Sequence, residues 1–301
     1  MNKGKTLIVI AGPTAVGKTS LAVSVAKELH TEILSADSRQ FYREMQIGTA
    51  RPTEKEMDGI PHYFCGHLSV EDDYNVSDFE REALSKLSEL FQTHDTVVMT
   101  GGSGLYINAV CRGIDELPDP HPKLRQRLKD DWENRGIDTL RQELQKLDPE
   151  YYQQVDIHNP KRLMRAIEVC RTTGRKYSEL RSNTPKVRPF NILKIGLTLE
   201  REALVERIHR RTDKMIADGL VEEAQKLLPQ RHYNALNTVG YKEIFHYLDG
   251  EISLEQAIRD IKTSTRRYAK RQLTWFRKDP EMHWFGPSDL QDIIRFIRES
   301  L

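Results

Sequence analysis

The chain has 301 residues, of which 38% are hydrophobic and 30% charged, a composition typical of a globular protein with a sizeable core. A formal net charge of +1 excludes recognition of a nucleic acid or a membrane by bulk charge, so any such contact must come from local clusters. The three cysteines form no C-x-x-C pair, which argues against a disulfide framework and a structural zinc site. Since no apolar run reaches membrane-spanning length and no targeting segment precedes the first strand, we expect a cytoplasmic protein.

Strands and helices alternate in the first third of the chain. We predict strands at 7–11, 32–36 and 96–100, a further strand beginning near Tyr63, and helices at 18–29 and, capped by Ser77, at 78–93. Such alternation indicates a parallel sheet flanked by helices, whose ligands bind at the carboxyl ends of the strands.

The pattern changes in the middle of the chain, where three helices are predicted with no strand between them. They cover 123–135, 139–146 and 161–173, the last begun by Asn159 and Pro160 and ended by Gly174. Afterwards we predict a strand at 192–197, helices at 201–217, 219–228 and 253–278, a strand at 282–285 and a terminal helix. The predicted fold is therefore an α/β P-loop NTPase-like core of residues 1–112 and 190–301, with an inserted all-helical subdomain at 113–189.

A phosphate-binding loop lies between the first strand and its helix. The segment GPTAVGKT at 12–19 matches the G-x-x-x-x-G-K-[ST] pattern, whose backbone amides approach phosphate oxygens, whose lysine supplies a positive charge and whose hydroxyl holds Mg²⁺. A chance glycine-rich turn would lack the strand before it and the helix after it. We therefore predict a polyphosphate ligand.

Two further segments end strands on the same edge of the sheet. Asp37 follows the second strand and either faces the bound ligand or caps the next turn, and local sequence does not decide between these roles. The segment TGGSGLY at 100–106 has glycines and Ser103 where an NTP-hydrolysing P-loop protein would carry an aspartate. It either binds polar ligand groups or is a tight turn with Ser103 as the helix cap.

The helix near the carboxyl end is strongly basic. Between Thr263 and Lys278 it has no acidic residue, and a stripe at 254, 258, 261, 265 and 268 is predicted to be buried. Like charges four residues apart, such as Lys262, Arg266 and Lys270, disfavour the helix by a few tenths of a kcal/mol per pair. We therefore expect a bound anion to offset this repulsion. A solvated basic face is the alternative, but arginines interleaved with aromatic residues favour a nucleic acid. The predicted insertion adds cationic residues at 123, 125, 127, 161, 162 and 165.

These segments together resemble the tRNA dimethylallyltransferases, also called tRNA isopentenyltransferases, over essentially the whole chain. A P-loop alone is found in many families, whereas colinear matches make the identification specific. The matching segments are GPTAVGKT at 12–19, DSRQFY at 37–42, IGTARPT at 47–53, TGGSGLY at 100–106, NPKRLMRAIEV at 159–169, DKMIADGLVEEA at 213–224, VGYKE at 239–243 and RRYAKRQLTWFR at 266–277.

The resemblance implies transfer of a dimethylallyl group from dimethylallyl diphosphate to N6 of the adenosine on the 3' side of a tRNA anticodon, with release of diphosphate. It implies Asp37 as general base, Ser103 in place of a family threonine that contacts the acceptor, and Thr19 as a ligand of Mg²⁺. The implied diphosphate-binding residues are Gly12, Thr14, Ala15, Gly17, Lys18, Thr19, Ser20 and Arg211.

The resemblance also implies an anticodon stem-loop as partner, with Gln40 recognising the target base. The expected tRNA-binding residues are Asp37, Ser38, Arg39, Gln40, Ser103, Arg125, Lys161, Arg162, Arg165, Arg266, Arg267, Lys270, Arg271 and Arg277. We expect a monomer, and the end at Leu301 without the zinc-finger extension of eukaryotic relatives fits the bacterial form.

Two other functions fit parts of the pattern. A P-loop kinase of a nucleoside-like acceptor would use Asp37 to hold the acceptor hydroxyl, but it would not need the basic helix. An NTP-gated RNA-binding factor would need an acidic residue that senses the γ-phosphate, and the sequence offers no convincing candidate.

Overall fold

The computed structural model describes residues 4–115, 117–119, 121–182 and 184–301. Within these ranges a parallel sheet has the strand order β3-β2-β4-β1-β5-β6. The strands are β1 Thr6–Ala11, β2 Ile33–Ser35, β3 His62–Tyr63, β4 Thr96–Gly101, β5 Asn191–Leu197 and β6 Met282–Phe285. The predicted parallel α/β fold is thus confirmed.

The central strand β1 is apolar along its whole length because both faces of the sheet are covered. Leu7, Val9 and Ala11 belong to one hydrophobic core, whereas Ile8 and Ile10 belong to the other, as the period of two in a strand requires. Every residue of β1 is buried.

Helices of the α/β unit cover the two faces. They are α1 Lys18–Glu28, α2 Glu54–Met57, α3 Val76–Leu90, α4 Gly104–Arg112, α10 Arg201–Ala217, α11 Leu220–Leu227, α12 Tyr241–Leu248, α13 Leu254–Phe276 and α14 Leu290–Ser300. Buried side chains of α3, α4, α11 and α12 lie in the core of Leu7, and those of α1, α10 and α14 lie in the core of Ile8.

The register of the sheet brings three loops to one edge. Ala11 at the end of β1 pairs with Gly101 at the end of β4, and Ser35 at the end of β2 pairs with Thr100. The phosphate-binding loop, Asp37 and the Gly101 turn therefore begin next to one another, as expected for the ligand-binding edge of a parallel sheet.

The chain divides into two compact units, residues 1–111 with 187–301 and residues 112–186. The second unit contains the helices α5 Pro122–Arg135, α6 Ile137–Leu147, α7 Pro149–Gln154, α8 Pro160–Thr173 and α9 Tyr177–Leu180. Its own core is formed mainly by Leu128, Leu140, Leu144, Leu163 and Ile167. The Asn159 cap, the first-turn Pro160 and the terminal Gly174 of α8 were all predicted.

Some predicted boundaries were wrong. The cap of α3 is Asn75 rather than Ser77, since the Asn75 side chain accepts the N–H groups of Ser77 and Asp78. The short helices α2, α7, α9 and α12 were missed, because each has too few turns for a periodic pattern to stand out.

No helix among the described residues is long and apolar enough to cross a membrane.

Candidate active site

The phosphate-binding loop has the backbone of an anion site. Ala15 and Gly17 have positive φ angles of 65° and 109°, and α1 begins directly after Gly17. Left-handed residues before a helix turn successive N–H groups toward a common point, where the helix dipole also favours an anion. Six predicted diphosphate-binding residues of this loop line a cavity of about 330 Å³: Thr14, Ala15, Gly17, Lys18, Thr19 and Ser20.

The charges around this smaller cavity favour an anionic ligand. Burial lowers the pKa of Lys18 to about 8, against the opposing effect of Asp37. Burial also lowers the pKa of Arg211, which lines the same cavity and donates to the Thr49 carbonyl over 3.1 Å. The Lys18 ammonium donates to the Pro13 carbonyl over 2.8 Å. Two desolvated cations beside a nest of amides form a site that a diphosphate would stabilise.

Gly12 differs from the other predicted diphosphate-binding residues. It is buried against β5, and a Cβ atom on it would lie 2.8 Å from the Leu197 carbonyl oxygen. It is absent from the described lining of the smaller cavity. The structure therefore gives Gly12 a packing role in the loop.

Arg207 was missed by the sequence analysis. Its Nη1 donates to the Val16 carbonyl over 2.9 Å and lies 3.4 Å from the position of a Cβ built on Gly17. Arg207 and Arg211 are four residues apart on α10, so they share a helix face. Two arginines four residues apart on a predicted helix were the sequence feature that could have pointed to Arg207.

Asp37 lies where two cavities meet. It lines the smaller cavity and also a larger one of about 560 Å³. Among the described residues, Thr14 and Arg211 are the only others that line both cavities. Its Oδ1 also accepts the Arg39 N–H over 3.3 Å. The two roles left open by the sequence are therefore compatible, since a local turn contact orients a carboxylate that borders both cavities.

A chain of hydroxyl groups lies beside Asp37. Ser103 Oγ accepts the Ser38 N–H over 3.0 Å and lies 3.1 Å from Ser38 Oγ. Tyr268 on α13 lies next to Ser103, and burial, with the nearby Asp37 charge, raises the pKa of Tyr268 to about 12. Tyr268 therefore keeps its proton at neutral pH. The Ser103 hydroxyl contacts Ser38 and Tyr268, and this contact was not predicted.

Two residues that were expected to contact tRNA are held by backbone carbonyls. Gln40 lines the smaller cavity, and its amide donates to the carbonyls of Thr49 and Ala50 over 3.3 and 3.2 Å. Arg39 lines the larger cavity and donates to the carbonyls of Asn234 and Ala235. Contact with a target base by either side chain stays a prediction.

The basic helix α13 presents arginines to the larger cavity. Arg267 and Arg271 line it, whereas Arg266, Lys270 and Arg277 are exposed on the helix surface. Lys262, which was grouped with these cations, instead forms an ion pair with Asp213 over 2.6 Å.

The buried stripe of α13 was only partly predicted. Of the expected positions Ile261 is buried and the other four are half-buried. The other buried residues are Ala257, Ala269, Gln272 and Phe276. Ala257, Ala269 and Gln272 are small or polar, so a search for large apolar side chains did not find them.

Two arginines of the helical unit that were predicted to contact RNA form ion pairs within that unit. Arg125 and Arg165 both pair with the buried carboxylate of Glu168, over 2.8 and 3.0 Å, and Arg165 also donates to the Pro118 carbonyl. Lys161 and Arg162 are exposed at the start of α8. A tRNA contact by these four residues stays a prediction, and for Arg125 and Arg165 it would compete with Glu168.

The fold and the site together define a class, that of α/β P-loop proteins with a second, larger cavity beside the phosphate-binding loop. A family model described as IPP transferase matches residues 40–279. The chain is 51% identical to tRNA dimethylallyltransferase 1 of Phocaeicola vulgatus, with 97% of each chain covered.

Solved structures show the same similarity. The full-length tRNA isopentenylpyrophosphate transferase of Bacillus halodurans matches with a TM-score of 0.73 and 37% identity, covering 98% of this chain and 96% of that one. A eukaryotic dimethylallyltransferase acting on tRNA matches with a TM-score of 0.80 and 27% identity, covering 95% of this chain and 75% of that one. The chain belongs to the IPP transferase family.

Proposed function

We propose that this protein transfers a dimethylallyl group from dimethylallyl diphosphate to N6 of the adenosine on the 3' side of a tRNA anticodon. The observation that carries the proposal is the position of Asp37, which borders both the phosphate-loop cavity and the larger cavity beneath the basic helix. In this proposal a donor bound in one cavity and an acceptor bound in the other would meet beside the Asp37 carboxylate. Family membership favours this function over a small-molecule kinase or an NTP-gated RNA-binding factor.

The smaller cavity would hold the diphosphate of the donor. Charge accumulates on the diphosphate as the bond between the allylic carbon and oxygen breaks. Lys18 and Arg211 are already desolvated there, and the positive φ angles of Ala15 and Gly17 shape the loop that presents the amides. Such preorganised donors stabilise a developing anion by several kcal/mol.

The larger cavity would receive the adenine. Its N6 lone pair is delocalised into the ring, so the amine is a poor nucleophile and must lose a proton as the new bond forms. The N6 atom bonds to the allylic carbon, diphosphate leaves with the electron pair of the broken C–O bond, and the Asp37 carboxylate accepts the N6 proton. Ser103 and Tyr268 offer hydroxyl groups that would orient the base.

Magnesium is the proposed metal, and the donor chemistry fits it. The smaller cavity is lined by Thr19, which has a hydroxyl oxygen, and by Asp37 and Glu56, which have carboxylate oxygens. Mg²⁺ prefers such oxygen ligands and commonly completes its coordination with substrate phosphates and water. The described residues contain no group of three or more His, Cys, Asp or Glu able to hold a metal ion, so Thr19 would share an ion with the diphosphate. When bound, the ion would neutralise part of the leaving group's charge.

The RNA partner would be an anticodon stem-loop. Its target base must leave the stack, which costs a few kcal/mol and least in a single-stranded loop. Arg267 and Arg271 lie at the larger cavity, and Arg266, Lys270 and Arg277 are exposed for phosphate contacts. We propose that the protein acts in the cytoplasm as a monomer.

The direct test is mass spectrometry of anticodon-loop fragments after incubation of tRNA with the protein, Mg²⁺ and dimethylallyl diphosphate. We expect one added dimethylallyl group on the adenosine 3' to the anticodon, and none when ATP replaces the prenyl donor. Consumption of nucleoside triphosphate with chemically unchanged RNA would contradict the proposal. Thermal stabilisation offers a parallel readout, because a ligand at one hundred times its Kd adds about 2.7 kcal/mol of stability.

A further inference from the structure

One buried polar side chain joins the basic helix to the loops of the active site. Gln272 is only 5% exposed and points inward from α13. Its Oε1 accepts the Thr14 N–H over 2.8 Å, and its Nε2 donates to the Gly102 carbonyl over 2.9 Å. One amide therefore connects three segments: the helix, the phosphate-binding loop and the turn after β4.

Both partners of Gln272 are placed to affect the reaction. Thr14 borders the two cavities, so a shift of its backbone would alter donor and acceptor sites together. Gly102 is followed by Ser103, which is hydrogen-bonded to Ser38 and lies next to Tyr268. Tyr268 is one helical turn before Gln272, so the two side chains leave α13 on the same face.

The glycine at position 102 is required for this contact. A Cβ atom on Gly102 would lie 2.2 Å from Gln272 Nε2, and the next neighbours, Gln272 Cδ and the Gly12 carbonyl oxygen, are at 3.4 and 3.7 Å. The backbone of Gly102 does not have a positive φ, so alanine would cause no backbone strain there, but its methyl group would displace the Gln272 amide.

Other faces of the same helix carry exposed cations. Arg271 directly precedes Gln272 and lines the larger cavity, and Arg266 and Lys270 are exposed. A displacement of α13 on binding RNA would therefore be transmitted through the Gln272 amide to Thr14 and Gly102. Glutamine suits this position because its one side-chain amide carries both the acceptor and the donor that the two backbone groups require.

We propose that Gln272 is a positioning residue that couples RNA bound on α13 to diphosphate bound in the phosphate-binding loop. It holds the Thr14 amide and the Gly102 carbonyl at fixed distances from the helix, so each ligand favours the arrangement that binds the other. The coupling is reciprocal by thermodynamic necessity. The inference rests on the proposed function for the identity of the RNA, but its central measurement uses binding alone.

The test compares the wild-type protein with Gln272→Met, which keeps the length of the side chain and removes both hydrogen bonds. The Kd of inorganic diphosphate is measured with and without a saturating anticodon stem-loop. In the wild type we expect the RNA to tighten diphosphate binding by about fivefold or more, and in Gln272→Met we expect this factor to fall to about one. In turnover, kcat should fall by about tenfold to a hundredfold while the Kd of the RNA changes less than twofold.

A second pair of variants does not depend on how well Gln272→Met folds. When Gln272 is present, Gly102→Ala should impair the coupling between RNA and diphosphate, because the added methyl group displaces the Gln272 amide. In a Gln272→Ala background the same methyl group enters vacated space, so Gly102→Ala should cause little further loss. Additive losses would contradict a shared contact.

Gln256→Met is the matched control, since Gln256 lies on the same helix and its side-chain and N–H hydrogen bonds within the described part of the chain are local, with Asp260, Arg259 and Ser253. It should retain the wild-type coupling and turnover. Equal coupling in the wild type and Gln272→Met, or no coupling in the wild type, would overturn the inference. Failure of the proposed function would show itself separately, as the absence of prenylated RNA from the wild-type reaction.

Discussion

Asp37, Lys18 and Arg211 form the electrostatic centre of the site. The two cations are desolvated, and Asp37 is the neighbouring charge that acts to raise the pKa of each of them. The same carboxylate accepts the Arg39 N–H and so helps to shape the turn after β2. A substitution test must therefore separate proton transfer from local structure.

Asp37→Asn makes that separation. The amide keeps an oxygen that can accept the Arg39 N–H, but it cannot take the N6 proton. We expect turnover to fall by about a hundredfold or more, with the Kd of tRNA nearly unchanged. Single-turnover kinetics and RNA binding are the measurements, and Asp292→Asn on the exposed face of α14 is the control. A wild-type rate in Asp37→Asn would remove this residue as the base.

Lys18 predicts a pH dependence of donor binding. In the free protein its ammonium loses a proton at a pH of about 8, because burial disfavours the charged form. Bound diphosphate favours the charged form and raises that pKa again, so binding at about pH 9 should take up a proton and weaken as the pH rises. Calorimetry of dimethylallyl diphosphate binding in two buffers with different ionisation enthalpies measures the proton uptake.

Lys18→Arg is the matched variant for this measurement. Its guanidinium keeps the positive charge and does not titrate in this range. The proton uptake should therefore disappear, whereas any contribution from the ligand's own titration remains. Identical proton uptake by the wild type and Lys18→Arg would rule out Lys18 as its source.

At the scale of elements, α13 combines a partly apolar inner face with a cationic outer face. Ala257, Ile261, Ala269 and Phe276 are packed in the cores, and Gln272 ties the helix to two loops. The hydrophobic burial and the internal contacts hold the helix despite its like charges. The exposed arginines are thus left available for a polyanion.

Neutralising Arg266 and Arg267 should weaken tRNA binding mainly at low salt. Each lost phosphate contact lowers the slope of log Kd against log salt concentration by about 0.7 to 0.9. The measurement is a salt titration of tRNA affinity for Arg266→Gln/Arg267→Gln. Arg259→Gln serves as the control, because this exposed arginine of α13 is hydrogen-bonded to Gln256. An unaltered slope in the double variant would place the RNA elsewhere.

At the scale of the molecule, the helical unit is a compact unit with its own core, inserted into the α/β chain. Its own hydrophobic core and the buried Glu168 with its two arginine partners hold it together. The chain enters and leaves at adjacent points, since the Lys186 N–H donates to the Arg112 carbonyl over 2.7 Å. The α/β unit has its own cores and both cavities.

Replacing residues 113–185 by a short Gly-Ser linker should therefore leave the α/β unit folded. We expect the affinity for inorganic diphosphate to stay within about threefold and the affinity for tRNA to fall at least tenfold, because exposed cations such as Lys161 and Arg162 are lost. Filter binding of tRNA and calorimetry with diphosphate give the two values. Equal losses in a variant with an intact thermal transition would contradict an RNA-specific role of the insertion.

Much of the site could be predicted because its chemistry lies in short contiguous segments. The glycines, lysine and hydroxyl of the phosphate-binding loop are adjacent in the chain, and Asp37 and the Gly101 turn each follow an apolar strand. Arg207 and Gln272 escaped prediction because each contacts the loop from a sequence separation of 191 or 258 residues. Arg125 and Arg165 looked like free surface cations because the sequence does not show that they converge on Glu168.

By itself the sequence determined the strand-and-helix alternation, the position of the phosphate-binding loop, the basic helix and the resemblance to the family, since all of these are encoded in local patterns. Only the tertiary structure decided that Asp37 borders two cavities, that Gly12 packs against β5 and that Gln272 joins α13 to two loops. The reason is that burial, desolvation and hydrogen-bond pairing depend on neighbours distant in the chain, and those neighbours are set by the packing of the whole fold.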